Sequence, residues 1–576
     1  MAVNSISVVV AGSGGAGSIT AGTVLLEAAG EAGWYAYMTR STGAQIRGGE
    51  AAAMIRFSNT PVNCHEGTFH ILLGIDWKNL GKYASEFCLT RESLIISDPK
   101  QGEVPPEIVA SGAREALVPL KQIARSIERG RPNMIAVGIV ARLIGLPFDA
   151  VVSALEKTVG SRKGEEAMAS SLESVRMGME EAAGLTFIPT LAPPRQIAPR
   201  WSITGNKATG LGAVKCGIRY VAAYPITPAT EILEWMAPAL DKVGGTLVQV
   251  EDELASINQI IGSSYGGVPS FTATSGPGLS LMIESIGLAV ASETPIVIVD
   301  VMRGGPSTGL PTRSEQTDLN IALHGMHGEA PHLVLAPNSV IDCMRTAGWA
   351  VQLAEALQTA AIVLSDQSLG QAQAIVDAPG ASDFGFTGKR EVFDELPEGE
   401  TYLRYKLTDS GVSPMAIPGT RGCQYTADGL THSEGSLPSS TMFDHVAQMD
   451  KRERKLTAYD YGDYWADIEG KGETAVITWG SSTNAVREAL TRLREEGKHI
   501  RLISIRLLFP VQPKKLSKAL DGVTDILIIE QSHSGQFARY LRADYDLRGV
   551  RSYHRPGPLL LRPDEIYQQL AEGSQL

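Results

Sequence analysis

Short apolar runs of strand length alternate with longer amphipathic stretches over most of the chain. Most of these runs are followed within three residues by Gly, Pro or Thr, and the stretches between them carry apolar residues at helical spacing. The alternation predicts parallel α/β sheets, whose working loops follow the carboxyl ends of the strands. The predicted strands are 6–11, 34–39, 220–223, 246–250, 270–273, 295–301, 474–478, 501–505 and 525–529.

Two interruptions of this pattern divide the chain into four segments. A proline-rich joint at 188–195 ends a first α/β domain over 1–190, and a second α/β domain over 196–395 follows it. Residues 396–470 are charged and turn-rich, and we interpret them as a connecting segment that packs between domains or against a partner. A last α/β unit covers 471–576. The predicted fold class is therefore α/β, with three domains.

The composition limits the possible functions. Hydrophobic residues make up 43% of the 576 residues, as in a chain that buries a sizeable core. A net charge of -12 argues against binding to duplex nucleic acid, because phosphate contacts need basic surfaces. No apolar run reaches the roughly 20 residues of a membrane span, and the five cysteines are scattered as in proteins of a reducing compartment. We expect a cytoplasmic protein that binds neither nucleic acid nor membranes.

A glycine turn follows the first predicted strand. Gly12, Gly14 and Gly17 have the spacing of a dinucleotide-binding fingerprint between a strand and a helix. The second strand leads into Arg40, where NAD sites carry an acidic residue for the ribose. The missing carboxylate weakens the NAD interpretation; Arg40 would suit NADP, and the alternative is that the glycines allow close packing of the helix on the strand. Both alternatives are open at this point.

The segment 224–228, Tyr-Pro-Ile-Thr-Pro, lies between a predicted strand and a predicted helix over 229–239. Its two prolines fix φ and remove two backbone donors, so the loop is stiff and presents Thr227 in a fixed direction. Thr227 or Thr230 could also cap the following helix. The motif alone does not decide between these roles.

Five motifs in a fixed order give the chain a family resemblance. They are 207–217, 224–228, 251–257, 272–278 and 303–312. In this order they resemble the alpha-type, pyrimidine-binding domain of thiamine-diphosphate-dependent 2-oxoacid:ferredoxin oxidoreductases. The glycine turn and the Arg-Gly-Gly cluster within 45–50 resemble the Rossmann-like gamma-type domain of that family. Residues 471–576 resemble a transketolase C-terminal domain, and the fused gamma-type domain with 429–455 resembles the 2-oxoglutarate branch.

The resemblance implies roles for several residues at strand ends. Glu253 would hydrogen-bond N1′ of the aminopyrimidine and promote the proton transfer that activates thiamine diphosphate. Glu251 is the less favoured glutamate, and an exposed first helical turn is the alternative environment for Glu253. Arg303 would bind the 1-carboxylate of the 2-oxoacid, unless it pairs with a partner subunit. The hydroxyl groups of Thr227 and Thr312 would donate hydrogen bonds to the same substrate.

The remaining implied contacts concern the cofactor and CoA. Tyr224, Pro225 and Ile226 would line the cofactor site beside the catalytic loop. Arg47 would bind the substrate or a CoA phosphate, because a guanidinium group offers forked donors to anions. A structural role in a surface turn is the alternative for Arg47. His533 is interpreted as a turn histidine rather than a base, and no metal ligand is assigned in this chain.

Two parts of such an enzyme are missing from the sequence. It contains no Gly-Asp-Gly…Asn segment for Mg²⁺ and the diphosphate, and no cysteine cluster for an iron–sulfur centre. The resemblance therefore implies a beta subunit that carries Mg²⁺, the diphosphate site and a [4Fe–4S] cluster. It also implies ferredoxin as electron acceptor, CoA as co-substrate and an (αβ)₂ assembly. The expected reaction converts 2-oxoglutarate and CoA into succinyl-CoA and CO₂ and reduces ferredoxin.

Three alternatives remain. A related enzyme could act on pyruvate or a branched-chain 2-oxoacid. The chain could instead be an NADP-binding regulatory or dehydrogenase subunit centred on the glycine turn, or a non-catalytic scaffold with a thiamine fold. Oxidation of 2-oxoacids and binding of NADPH distinguish the three.

Overall fold

The computed structural model describes residues 2–42, 49–78, 80–160, 164–187, 189–196, 198–310, 312–386, 388–393 and 395–572. The chain forms two compact units. The first consists of Met1–Thr204, Gln371–Pro379 and Arg562–Leu576, and the second of Gly205–Gly370 and Gly380–Leu561. Both units are built from helices packed on sheets, mixed in the first unit and mainly parallel in the second, which confirms the predicted α/β class.

An eight-stranded sheet forms the centre of the first unit. Residues 8–11 of its strand Ser5–Ser13 form an unbroken apolar run because both faces are covered: Val8 and Val10 join one apolar cluster, and Val9 and Ala11 join another. In spatial order the strands are Arg114–Leu117, Leu94–Ser97, Ile71–Gly74, Ser5–Ser13, Glu50–Ser58, Tyr35–Thr42, Gln373–Asp377 and Arg200–Thr204. The first four strands run parallel, and the later neighbours pair antiparallel. The helices described here are Ser18–Glu31, Pro106–Val109, Leu120–Arg125, Pro132–Ile144, Phe148–Leu155, Glu165–Ala182 and Pro563–Glu572.

Two strands of this sheet come from the range predicted for the second domain. Arg200–Thr204 and Gln373–Asp377 lie within 196–395, but they pair with each other, and Gln373–Asp377 also pairs with Tyr35–Thr42. Periodicity shows that a segment is a strand and not which distant strand it joins. A boundary drawn from the proline-rich joint therefore cannot assign these two strands.

Two sheets form the centre of the second unit. The larger has the order Thr246–Gln249, Tyr220–Ala223, Ser270–Thr274, Ile296–Met302, Ala360–Asp366, Leu333–Leu335 and Leu507–Phe509, and only its last pair is antiparallel. The smaller has the order Ala466–Glu469, Ile500–Ile505, Thr474–Trp479, Asp525–Glu530 and Arg551–His554, and only its first pair is antiparallel. The helices described here are Gly205–Lys215, Thr230–Asp241, Glu253–Tyr265, Gly276–Ala291, Leu319–His324, Asp342–Leu357, Gln367–Gln371, Met442–Thr457, Ser482–Glu495, Pro513–Ala519 and Gln536–Asp544. The strands predicted in this part of the chain are present at nearly their predicted ends.

A buried ion cluster holds the irregular segment against the rest of the second unit. Residues 395–441 form turns and isolated bridges, and the helix Met442–Thr457 follows them. The fully buried Glu293 accepts hydrogen bonds from Lys451 Nζ at 2.7 Å and Lys455 Nζ at 3.2 Å. Arg404 donates to the backbone carbonyl of Glu293 at 2.8 Å. The basic run at the end of this segment therefore includes buried structural charges.

The glycine turn is in contact with a carboxylate. Asp76 accepts hydrogen bonds from the Ser13 backbone N–H at 3.1 Å and from the Ser13 hydroxyl at 2.8 Å. Gly17 has φ 89°, and a Cβ on it would stand 2.5 Å from Asn133 Nδ2. A carboxylate at the turn opposes a bound phosphate, so these contacts favour the packing role of the glycines.

In the described part of the chain, no helix has the length and apolar character that crossing a bilayer requires.

Candidate active site

Four loops meet at one edge of the seven-stranded sheet. The strand Tyr220–Ala223 lies between Thr246–Gln249 and Ser270–Thr274, Ile296–Met302 is the next neighbour, and all four are parallel. The carboxyl ends of parallel strands lie at the same edge. The loops that begin at Tyr224, at residue 250, at Ser275 and at Arg303 are therefore brought together.

The loop 224–228 contacts Arg303 directly. Nη1 of Arg303 donates a hydrogen bond to the Thr227 backbone carbonyl at 2.8 Å. Thr227 and Tyr224 are exposed, whereas Pro225 and Ile226 are half-buried. The helix Thr230–Asp241 begins without a side-chain cap, so neither Thr227 nor Thr230 caps it. The alternative role as a helix cap is therefore wrong.

Glu253 is the buried member of an otherwise exposed acidic turn. It is the first residue of the helix Glu253–Tyr265 and is 7% exposed, while Glu251 and Asp252 are exposed. Asp252 caps the helix by accepting the Ala255 N–H at 2.7 Å. Because Glu253 is buried, the alternative of an exposed first-turn acid at this position is wrong.

The Glu253 carboxyl group lies against a glycine of the adjacent loop. A Cβ on Gly278 would stand 2.7 Å from Glu253 Oε1 and 2.0 Å from the Thr274 hydroxyl oxygen. Within the described part of the chain, no group donates a hydrogen bond to this carboxyl group. The space beside Gly278 therefore holds a buried acid that is free to bind a ligand.

The loop that follows Arg303 closes on itself. The Gly304 N–H donates to the Arg313 carbonyl at 2.7 Å, and the Leu310 N–H donates to the Gly304 carbonyl at 3.1 Å. Thr312 lies in this loop with φ 40° and is half-buried, and within the described residues no hydrogen bond joins it to Thr227 or Glu253. Arg47 lies outside the described residues.

Two acids missed by sequence reasoning lie close to Arg303. Burial, with the charge of Asp318, raises the pKa of Asp300 well above its usual range. Burial also raises the pKa of Asp318 to about 6, although the neighbouring Asp300 side chain and the charge of Arg303 act in the opposite direction. The available signal was Asp300 itself, an acid within an apolar strand.

His533, set aside as a turn histidine, is exposed, and no metal-binding group of three His, Cys, Asp or Glu side chains is found among the described residues. The site at the sheet edge therefore consists of a buried acid, a cation that contacts the stiff loop, and a second pair of acids. Such a set can bind and orient an anion beside a group that moves a proton.

Three family models match successive parts of the chain. Residues 7–181 match "Pyruvate ferredoxin/flavodoxin oxidoreductase", and residues 472–565 match "Pyruvate:ferredoxin oxidoreductase core domain II". Residues 211–451 match "Pyruvate flavodoxin/ferredoxin oxidoreductase, thiamine diP-bdg". This thiamine-diphosphate match contains all four loops of the site.

Individual proteins are similar over most of their length. The 2-oxoglutarate synthase subunit KorA of Methanothermobacter marburgensis is 33% identical over 64% of this chain and 97% of that protein. The 2-oxoglutarate oxidoreductase subunit KorA of Mycobacterium tuberculosis is 32% identical over 83% of this chain and 74% of that protein. A solved 2-oxoglutarate:ferredoxin oxidoreductase from Magnetococcus marinus, with 2-oxoglutarate, coenzyme A and succinyl-CoA bound, is 34% identical with a TM-score of 0.92 and full coverage of both chains.

Proposed function

The chain belongs to the 2-oxoacid:ferredoxin oxidoreductase family, and we propose that it is the alpha-type subunit of an enzyme that acts on 2-oxoglutarate. The proposed reaction forms succinyl-CoA and CO₂ from 2-oxoglutarate and CoA and passes electrons to ferredoxin. The observation that carries the proposal is the full-length match to a 2-oxoglutarate:ferredoxin oxidoreductase. Pyruvate is the second candidate substrate, because the matching family models are named for it.

The sheet edge fits the pyrimidine end of thiamine diphosphate. Glu253 is buried, and its carboxyl group lies in a space that a Cβ on Gly278 would fill. In this role Glu253 holds a hydrogen bond to the pyrimidine ring and shifts a proton on it, with Tyr224, Pro225 and Ile226 along the same edge. When bound, thiamine diphosphate supplies the nucleophilic carbon and stabilises the negative charge that decarboxylation leaves.

Arg303 and Thr227 form the anion-binding side of the proposed site. The hydrogen bond from Arg303 Nη1 to the Thr227 carbonyl fixes the direction of the guanidinium group, and its buried Nε finds no partner within the described residues. A guanidinium held in this way can donate to the 1-carboxylate of a 2-oxoacid and orient the keto group. Thr227 and Thr312 are the proposed hydroxyl donors to that keto group.

The proposed enzyme needs a second polypeptide. Relatives of this chain are named as alpha subunits, and this chain supplies only the pyrimidine side of the cofactor in the proposal. We assign Mg²⁺, the diphosphate site and a [4Fe–4S] cluster to a beta subunit, with an (αβ)₂ assembly in the cytoplasm. Arg47 is the proposed contact to CoA.

Reduction of viologen that depends on CoA and 2-oxoacid, measured with the complex of both subunits, tests the proposal. We expect Glu253→Gln to lower kcat by about 100-fold or more, because the proton transfer loses its acid. Glu251→Gln is the matched control, since this neighbouring glutamate is exposed, and it should keep wild-type activity. Arg303→Gln should raise KM for the 2-oxoacid about tenfold or more.

The same assay separates the alternatives. A higher kcat/KM for pyruvate than for 2-oxoglutarate would move the assignment to the second candidate substrate. Full activity of Glu253→Gln would overturn the site, and absence of oxidation with every 2-oxoacid would overturn the enzymatic function. Binding of NADPH by the chain would restore the dinucleotide alternative, which the contact of Asp76 with the glycine turn disfavours.

A further inference from the structure

Asp300 and Asp318 form a carboxyl pair near Arg303. Asp300 is fully buried within the strand Ile296–Met302, and Asp318 directly precedes the helix Leu319–His324. Asp300 pairs in the sheet with Thr274, and Asp318 lies against Gly276, two residues further along the chain. The negative charge of Asp318 raises the pKa of Asp300, so the two carboxyl groups are neighbours. Among the described residues, no N–H or hydroxyl group donates to either oxygen of Asp300 or to Oδ2 of Asp318. A hydrogen bond between two carboxyl groups needs a proton on one of them.

The environment stabilises one negative charge on this pair and opposes two. A Cβ on Gly276 would stand 2.6 Å from Asp318 Oδ2 and 2.8 Å from Oδ1, so Asp318 lies at the first residue of the helix Gly276–Ala291. The partial positive charge of a helix N-terminus stabilises one carboxylate. A second charge on the fully buried Asp300 would lack both solvent and a donor.

Charged side chains from several elements lie near Asp300 and Asp318. The positive charge of Arg303 lowers the pKa of Asp318, and the negative charge of Glu315 raises it. On the adjacent strand, one carboxylate oxygen of Asp366 already accepts from the Ser314 and Ser368 hydroxyls and from the Leu369 N–H. Glu253 lies across Gly278, on the helix Glu253–Tyr265. Of these groups, Arg303 carries the positive charge that acts on Asp318.

We propose that Asp300 stays protonated and donates its hydrogen bond to Asp318, and that the single charge left on Asp318 tunes how tightly Arg303 binds the substrate carboxylate. The second half of this inference rests on the proposed function, in which Arg303 binds the 2-oxoacid. Asp300 and Asp318 are then positioning residues, since they act on the substrate through Arg303. A negative charge near Arg303 offsets part of its attraction for an anion.

The tuning has a definite sign with pH. The pKa of Asp318 is raised to about 6, so its charge is present at pH 7.5 and largely neutralised at pH 5.5. We expect KM for the 2-oxoacid to be about threefold to tenfold higher at pH 7.5 than at pH 5.5, because the negative charge on Asp318 at the higher pH opposes substrate binding. Asp318→Asn keeps the shape and removes the charge, so its KM should be low and independent of pH. The pH profile of kcat should be unchanged.

Infrared spectra of the full chain, with ¹³C in the aspartate carboxyl groups, test the protonation without any activity. The wild type should show the C=O band of a protonated acid at pH 7.5, and Asp300→Asn should remove it. Asp300→Asn replaces the acid O–H with an amide N–H, so it should also retain the fold and the wild-type KM profile. Asp460→Asn is the control, since the Asp460 side chain is 86% exposed, and it should keep the band.

Each result decides one half of the inference. A missing band, or a band that survives Asp300→Asn, overturns the shared proton whatever the enzyme does. A wild-type KM that does not change with pH, or a higher KM in Asp318→Asn, overturns the tuning. The wild-type profile decides this second half even if Asp318→Asn fails to fold. If the wild-type complex oxidises no 2-oxoacid, the proposed function and the tuning fail together, and the infrared spectra still decide the protonation.

Discussion

At the scale of single residues, two glycines determine where the acids of the site lie. Gly276 and Gly278, in the first turn of the helix Gly276–Ala291, leave space for the carboxyl groups of Asp318 and Glu253 respectively. Any side chain at these positions would overlap a carboxyl group or the Thr274 hydroxyl. The Gly-Pro-Gly sequence therefore has two roles. It starts the helix, and it lets two acids approach the helix terminus closely.

We predict that Gly278→Ala displaces Glu253 and lowers kcat of the complex by about 100-fold, the scale of a lost acid–base group. The free energy of unfolding should fall by about 1–3 kcal/mol, as for other overpacked sites. Gly287→Ala is the matched control, because it lies in the same helix and an added Cβ meets nothing within 4 Å. Steady-state kinetics and denaturant unfolding of both variants make the comparison, and equal activities would contradict the role assigned to Gly278.

At the scale of elements, a buried ion cluster holds the helix Met442–Thr457 against the rest of the second unit. One buried carboxylate, Glu293, faces the side chains of Lys451 and Lys455 and the nearby Arg404. Burial alone would raise the pKa of Glu293, but the three positive charges hold it well below its usual range. Because three cations surround one anion, the buried cluster favours loss of a proton from one of its lysines.

The stability of this attachment should depend on pH through Lys455. Burial lowers the pKa of Lys455 to about 8 in the folded protein, below the ordinary lysine value of 10.5. Between these values the unfolded chain binds a proton that the folded chain does not, so the contribution of Lys455 to stability rises with pH. We predict that the unfolding free energy of the wild type, relative to Lys455→Met, increases between pH 8 and pH 10 by about 1 kcal/mol per unit at most.

Denaturant unfolding at several pH values measures this difference. The control is Lys498→Met, because Lys498 is exposed, and the gap between the wild type and this variant should stay constant over the same range. If the unfolding free energy of the wild type falls relative to that of Lys455→Met as the pH rises, the folded protein stabilises the ammonium group and the prediction is wrong.

At the scale of the whole molecule, exposed apolar side chains flank the proposed cofactor site. Leu254, next to Glu253, is 49% exposed, and Leu281, one turn after Gly278, is 52% exposed. Their helices, Glu253–Tyr265 and Gly276–Ala291, pack on each other. A partner that completes the cofactor site beside Glu253 would cover both leucines, which makes this face the proposed contact with the beta subunit.

We predict that the double variant Leu254→Asp, Leu281→Asp weakens the complex with the beta subunit by about tenfold or more, since two apolar contacts become charged. Its thermal unfolding as an isolated chain should match the wild type. Ile468→Asp is the control, because Ile468 is 47% exposed on the strand Ala466–Glu469 of the smaller sheet. Sedimentation of the mixed subunits measures the affinity, and equal affinities for the two variants would exclude this face from the contact.

The sequence by itself determined the class of the fold and the loops that carry the chemistry. Apolar runs such as 270–273 and 295–301 specified strands because both faces of a parallel sheet are buried. The residues after these runs therefore had to lie at the carboxyl edge, and this placed 224–228 and Arg303 together before any contact was known. The family resemblance, which the comparisons confirm, added the expected roles.

Only the tertiary structure decided which distant segments meet. The burial of Glu253 beside an exposed Glu251, the pairing of Asp300 with Asp318 and the three cations around Glu293 depend on contacts between elements far apart in sequence. The same holds for the strands Arg200–Thr204 and Gln373–Asp377 in the first sheet. Periodicity reports how one segment faces the core, whereas the pairing of charges and strands depends on packing that no single segment encodes.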